Sequence, residues 1–280
     1  MIEEQVITMI LRDGTGTGIV ECTIDEWFGI SYKIPRSKIK EANKLKYVHN
    51  TGVYILFGED EETAEKIAYI GEAEDLLKRI EQHNKTKDFW NECVLFMSEN
   101  NALNKAHIKY IEHELYILAN ENNRYKIKND VNPTKSSLSS ADEIKARKFI
   151  EKVKVLSTAM GYRIFDKLLT EKQEEHNNDN MLYLKYSGEV FGMGLVTEEG
   201  FVILKGTKIR EGITPGLSES LKNYCNRERN SEDIMKGIYI NNHLVSSPSM
   251  AGVIILGRNC NGYNEWKNGQ GISLKKLIEK

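Results

Sequence analysis

The chain has 280 residues, with 39 lysines and arginines against 41 aspartates and glutamates and a formal net charge of −2. That balance excludes a globally basic nucleic-acid binder, so any contact with a polyanion must come from a local patch or through a metal ion. The length suffices for two modest domains with separate cores, and no apolar run is long enough to span a membrane.

Cys22, Cys93, Cys225 and Cys260 are far apart, with no CxxC or Cys/His zinc spacing. They read as free thiols in a reducing cytoplasm. Glu3 and Glu4 stand near the N-terminus, which lacks the basic and then apolar pattern of a signal peptide. Residues 1–48 read as an N-terminal segment packing on the core that follows. Val6 to Leu11 predicts a strand and Asp13-Gly14-Thr15-Gly16 a turn. Gly14, Gly16 and Gly18 do not make a phosphate loop, because no strand–loop–helix unit with a following lysine accompanies them. Lys33, Arg36, Lys38, Lys40, Lys44 and Lys46 face a single acid, Glu41. Such a run reads as a solvated helix face; Lys33, Arg36, Lys38 and Lys40 are its candidates for touching a nucleic-acid backbone.

Residues 49–135 hold the most informative pattern. Val53-Tyr54-Ile55-Leu56-Phe57 predicts a buried strand, and Ile67-Ala68-Tyr69-Ile70-Gly71 a second. The acidic stretch between them suits an exposed hairpin connection, which would set Tyr54 and Tyr69 on one sheet face. Leu76, Leu77 and Ile80 then recur at helical spacing, and Arg79 and His83, four apart, project from one helix face. Two phenols, a guanidinium and an imidazole brought together suit a phosphodiester: a fixed cation for the phosphate and a phenol for the water. Phe89 to Phe96 predicts a third strand. Ala102 to Asn120 predicts an amphipathic helix with the stripe Ile108, Ile111, Leu115 and Leu118. Glu112 and Glu114 border that stripe on opposite sides, and periodicity does not choose between them.

Residues 136–170 read as a connecting helix, capped by Ser139 or Ser140 and apolar along Phe149, Ile150, Val153 and Leu156. Residues 171–180, polar and ending in Asn177-Asn178-Asp179-Asn180, read as a linker. Residues 181–280 read as a separate α+β domain. Met181 to Tyr186 and Phe201 to Leu204 predict strands, and Gly188 to Gly194 is punctuated by glycine. Ser247-Pro248-Ser249 predicts a helix start with Gly257 at its end, and Asn261-Gly262 a turn. Tyr263 and Trp266 read either as fillers of a small core or as groups that position DNA. His49, His107, His113, His176 and His243 read as structural or exposed.

The central constellation resembles the GIY-YIG nuclease family. Gly52-Val53-Tyr54, Tyr69-Ile70-Gly71, Arg79, His83, Lys109-Tyr110-Ile111-Glu112 and Asn129 follow the family order across about eighty residues. Val53 stands where isoleucine is commoner, and the interval between the tyrosines is longer than usual, which reads as a longer hairpin. The resemblance implies an α+β core, a three-stranded antiparallel sheet flanked by helices, followed by the separate C-terminal domain. It implies a DNA endonuclease hydrolysing phosphodiester bonds with Mg²⁺ or Mn²⁺. It assigns the metal to Glu112 and catalytic roles to Tyr54, Tyr69, Arg79, His83, Glu112 and Asn129. Tyr54 or Tyr69 would act on the attacking water, with Tyr54 favoured.

The C-terminal region resembles an uncharacterised domain that often follows such nucleases. It also resembles modification-associated domains attached to adenine methylases and restriction enzymes. The matching pieces are Leu204-Lys205-Gly206-Thr207, Ser247-Pro248-Ser249 and Asn261-Gly262 with Trp266. This implies a restriction or phage-defence enzyme whose tail reads DNA, modified DNA among its targets, with Arg258 and Trp266 as candidate contacts. A single centre cuts one strand at a time, so a homodimer suits double-strand breaks. Two other readings are a structure-specific repair or recombination nuclease and a non-catalytic DNA-binding module.

Overall fold

Alternating and continuous apolar runs of the N-terminal half join in one sheet. The computed structural model describes residues 4–60, 65–169 and 180–279. The chain divides into two units, Met1–Asp166 and Lys167–Lys280. The first contains β1 (Ile7–Leu11), β2 (Val20–Ile24), β3 (Gly29–Pro35), β4 (Gly52–Glu59), β5 (Lys66–Ala73), β6 (Trp90–Ser98) and β7 (Lys126–Ile127). Their order across the sheet is β1-β2-β3-β6-β4-β5-β7. Neighbours are antiparallel except β5 and β7, which run parallel.

The three expected core strands are β6, β4 and β5, but the sheet is wider than three strands. The N-terminal segment adds β1, β2 and β3 to the side of β6. The basic run is not one helix either: Lys33 lies in β3, followed by two short 3₁₀ turns, Arg36–Lys38 and Glu41–Lys44. Ile30, Tyr32 and Ile34 of β3 alternate into the core, and the lysines around them mask that period in the sequence.

Both faces of the sheet are covered, which explains why β4 is apolar at successive positions. Val53, Ile55 and Phe57, with Ala68 and Ile70 of β5, pack beneath α2 (Lys105–Asn122) and α3 (Ser140–Ala159). Tyr54 and Leu56 point the other way, beneath α1 (Leu76–Thr86). Each helix begins on a side-chain cap: Asp75 accepts from the Lys78 amide, Asn104 from His107 and Ser139 from Asp142. His107 returns a bond to the Asn104 backbone, completing a capping box. On α3, Ala146, Phe149, Ile150, Val153 and Leu156 are buried, so this helix is part of the first unit's core.

The expected linker residues 171–179 lie outside the described residues. The second unit has its own sheet. Its elements are β8 (Leu182–Tyr186), β9 (Glu189–Thr197), β10 (Gly200–Ile203), α4 (Glu219–Arg229), β11 (Ile234–Met235), β12 (Ile238–Tyr239), β13 (His243–Val245), α5 (Pro248–Leu256), α6 (Gly262–Glu265), β14 (Trp266–Lys267) and α7 (Leu274–Ile278). The order of its main sheet is β13-β10-β9-β8-β14. The glycine-punctuated stretch is largely strand β9. A Cβ at Gly194 would meet the Phe201 ring at 2.3 Å, and one at Gly192 would meet the Trp266 ring at 2.9 Å, so these glycines make room for aromatic rings.

Helix α5 starts at the Ser247 cap with Pro248 in its first turn. It ends at Gly257 in the left-handed region, φ 63°, as its sequence predicts. Asn261 caps α6 instead of forming a hairpin turn, its side chain accepting from the Asn264 amide. Trp266 is buried, and its indole N–H donates to the Pro248 carbonyl at 2.8 Å. Tyr263, by contrast, is exposed. Among the described residues no helix is long and apolar enough to cross a membrane.

Candidate active site

The site begins with two glycines. A Cβ on Gly52 would sit 2.2 Å from the Phe96 carbonyl oxygen, so glycine lets β4 begin hard against β6. Opposite Tyr54 in the β4–β5 register stands Gly71. A Cβ there would lie 2.3 Å from both the Tyr54 hydroxyl and its ring carbon. The missing side chain is the floor on which the phenol rests. Tyr69 pairs with Leu56, which places it diagonally from Tyr54 on the same face. The two rings are stacked, 6.2 Å apart at 18°.

Helix α1 closes this face. Leu76, Leu77 and Ile80 anchor it, and the same face carries His83 inward. The Tyr54 hydroxyl and His83 Nε2 are 2.7 Å apart. The His83 ring also stands edge-on to Tyr69, 5.3 Å between centroids. Burial, reinforced by Arg79 and Lys87, lowers the His83 pKa to about 4. The imidazole is therefore neutral near pH 7 and shares a hydrogen bond with the Tyr54 hydroxyl. The Arg79 charge acts on the same phenol, opposing the effect of burial, and the Arg79 guanidinium donates to Gln82 at 3.1 Å. The Tyr54 hydroxyl thus meets a neutral imidazole within the field of a cation. Burial, then the neighbouring Tyr69, pushes the Tyr54 pKa well above its usual value.

Glu112 comes from the other side of the sheet, on α2. It is half-buried, and its pKa is raised to about 7, first by burial and then by the charge of Glu72. Lys105, Lys109 and Arg79 pull it back down. The Arg79 charge is thus felt by Glu112. Glu114 differs: it is ion-paired with Lys135 at 2.6 Å.

Asn129 binds that edge. β7 pairs only with Ile67 and Ala68 of β5. Beyond them, the Asn129 side chain accepts from the Ile70 amide at 3.1 Å and donates to the Ile70 carbonyl at 2.7 Å. It satisfies the backbone as a further strand residue would.

Two more side chains border the site. Lys87 lies 4.6 Å above the Tyr69 ring and 3.1 Å from Asp130. It continues the Arg79–His83 row by one further helical step of four, a spacing visible in the sequence. Glu72, next to Gly71, is held by Lys105 at 2.8 Å. Only its adjacency to the second tripeptide could have drawn attention to it.

The candidate DNA contacts stand in different circumstances. Arg36 donates to Asn84, to Asp88 O and to Trp90 O, and stacks over Trp90 at 4.9 Å. Lys33 reaches Glu92 and the Gly16 carbonyl, and Lys38 pairs with Asp13. Lys40 is exposed beside a groove of ≈ 670 Å³ lined also by Arg36, Ser37, Asn84 and Asn91. In the second unit Arg258 is paired with Glu265 at 2.6 Å, and Trp266 belongs to the core. His243 is held between Asp233 and Glu228, each at 3.0 Å. His176 lies outside the described residues.

The raised Glu112 pKa has a thermodynamic sign. Between its usual 4.5 and about 7, the folded chain keeps a proton that the unfolded chain has released. The stability it contributes therefore falls as pH rises through that window. In chelator at pH 8, Glu112→Gln is expected to be more stable than the wild type by roughly 1–2 kcal/mol, discounted for partial exposure. Near pH 4 the two should unfold alike in urea titrations.

Comparison with known families agrees with this geometry. Residues 50–135 match the GIY-YIG catalytic domain, and residues 182–278 match a domain of unknown function, DUF4357. No curated protein matches the chain, and no solved structure does. With both tripeptides, the helix that follows them and Glu112 inside the first match, the chain carries a GIY-YIG catalytic domain followed by a DUF4357 domain and is a GIY-YIG-type endonuclease.

Proposed function

We propose that the chain is a metal-dependent DNA endonuclease of restriction or phage defence, with its target chosen by the C-terminal domain. The observation that carries the chemistry is the Tyr54 hydroxyl placed 2.7 Å from His83 Nε2, with the Arg79 charge acting on the same phenol. A backbone phosphate repels hydroxide, so a catalyst must neutralise charge, orient water and stabilise the leaving oxygen.

Glu112 is the residue to hold the divalent ion. It is a hard oxygen donor, half-buried and short of compensating charge, as its raised pKa records. Among the described residues no group of three or more His, Cys, Asp or Glu side chains is arranged to hold a metal ion. A single carboxylate suits Mg²⁺, which keeps several waters and takes substrate oxygens as ligands; Mn²⁺ accepts the same donors. Bound there, the ion supplies positive charge to the phosphate and to the departing 3′ oxygen.

The chain's own groups do the rest. Arg79, an exposed residue, pairs with the scissile phosphate. Tyr54 takes the proton of the attacking water as its own passes to His83 Nε2. This relay avoids a free phenolate, which burial of Tyr54 disfavours. Water reaches Tyr54 from the side of half-buried Tyr69, which positions it. Asn129 keeps the β5 edge straight beneath both tyrosines. Target choice by the C-terminal domain is supported by its separate sheet and core. Modified DNA is the proposed class of target.

Nicking of supercoiled plasmid with Mg²⁺, on unmodified and base-modified DNA and on a branched duplex, tests this reading. Glu112→Ala should lower the rate by roughly 10²–10⁴, the several kcal/mol that a catalytic metal supplies. Preference for the modified plasmid is the expected ranking. Preference for the branched substrate would instead indicate a structure-specific nuclease, and equal rates for wild type and Glu112→Ala would remove the metal assignment.

The exposed Lys40 is the residue of the basic run best placed for a phosphate. Lys40→Ala should reduce the slope of log affinity against log salt by about one, while DNA sequence preference stays unchanged. An unchanged slope would take the Lys40 groove out of the DNA path.

A further inference from the structure

Among the described residues, the outermost strand of the first sheet, β1, carries none of the usual edge protections: no proline, no bulge and no charge from Gln5 to Leu11. β1 pairs only with β2, from Ile7 opposite Ile24 to Leu11 opposite Val20. The flanking bonds run from Asp25 N to Val6 O and from Arg12 N to Ile19 O. They place the even-numbered residues of β1 in the hydrogen-bonded pairs with β2. The N–H and C=O groups of Gln5, Ile7, Met9 and Leu11 therefore face outward. From Gln5 to Leu11 there is no charged residue and no proline, and the β1–β2 register runs without a bulge. Val6, Met9, Ile10 and Leu11 are exposed at 61%, 46%, 42% and 45%. Edge strands that stay unpaired usually carry lysine, proline, a bulge or a cover.

A second copy of the chain fits this edge. Laid antiparallel to itself with outward-facing groups matched, β1 sets Ile7 against Met9, Gln5 against Leu11 and Val6 against Ile10. Thr8 then meets its own symmetry mate, and Glu4 meets Arg12 at both ends. A slide of two residues either way leaves Glu4 opposite Ile10 or Arg12 opposite Val6, so the charges select one register. Arg12 already binds Glu21, but a guanidinium has five donors and accommodates a second carboxylate. The backbone turns away only after Leu11, where Gly14 N bonds its carbonyl. Nothing in the strand itself obstructs the pairing.

We propose that β1 is a self-pairing edge: two copies join antiparallel about a two-fold axis through Thr8, and their sheets become one. The pairing stands apart from the reaction chemistry. For an endonuclease it puts two catalytic centres on one particle, which suits cutting both strands of a duplex.

The test is a symmetric cross-link in the full chain. Thr8 and its mate form a non-hydrogen-bonded pair, whose Cα atoms approach to about 4.5 Å, within disulfide reach. Thr8→Cys should give a disulfide-linked dimer under mild oxidation, dissolved by reductant. Ile10→Cys, whose opposite number is Val6, should not, and the wild type controls for partly exposed Cys260. Sedimentation equilibrium of the wild type should show a dimer. Met9→Pro should sediment as a monomer with the wild-type circular dichroism spectrum, because the Met9 N–H faces outward and the proline removes no bond within the chain. A wild type that stays monomeric at high protein concentration would overturn the proposal. So would a wild-type dimer in which Thr8→Cys fails to cross-link, or in which Ile10→Cys cross-links equally.

Discussion

The contact between Tyr54 and the bare backbone of Gly71 is the constraint on which the catalytic half of the molecule depends. A methyl group at Gly71 would occupy the space of the phenol. With hydrogen there, the Tyr54 ring packs against Gly71 and its hydroxyl meets His83 Nε2 of α1 at 2.7 Å. The register of β4 against β5 and the anchoring of α1 by Leu76, Leu77 and Ile80 follow the same requirement. Gly52 has a similar role one strand over, against the Phe96 carbonyl. The two motif glycines are therefore packing requirements, both at ordinary negative φ, and not devices for a special backbone conformation.

The site divides its charges between two faces of one sheet. The phenols, imidazole and guanidinium lie under α1, and the carboxylate of Glu112 comes from α2. Asn129 seals the outer edge of β5 between them with two bonds to Ile70. Burial acts in opposite senses on the titrating groups. It keeps His83 neutral beside the Tyr54 hydroxyl, and it keeps the Glu112 charge costly until a cation joins it. Such a site trades folding stability for chemistry.

Much of this was legible in the sequence, and the reasons for the remainder are physical. The strands bearing Tyr54 and Tyr69, the helix carrying Arg79 and His83, and the limits of α5 all announce themselves through apolar runs, spacing and caps. The width of the sheet does not. β3 alternates Ile30, Tyr32 and Ile34 inside a lysine-rich stretch, and the charge signal overrides the period of two. β9 is hidden for another reason: its glycines suggest turns, yet Gly192 and Gly194 sit in a strand to make room for Trp266 and Phe201. Periodicity left Glu112 and Glu114 equivalent. The Lys135 pairing with Glu114 separates them, and a contact so distant in sequence has no local signature. Arg36 likewise looks like a free cation until Asn84, Asp88 and Trp90 are seen to hold it.

The central claim is that Tyr54, passing its proton to His83, activates the water. Single-turnover cleavage by Tyr54→Phe and Tyr69→Phe, each at saturating metal, measures it most directly. Loss of a general base costs about 10²–10⁴ in rate. The account predicts that loss for Tyr54→Phe and a smaller one for Tyr69→Phe, with the folds of both intact. A Tyr54→Phe enzyme that cleaves at the wild-type rate, with Tyr69→Phe inactive, would contradict it and move the base to the outer tyrosine.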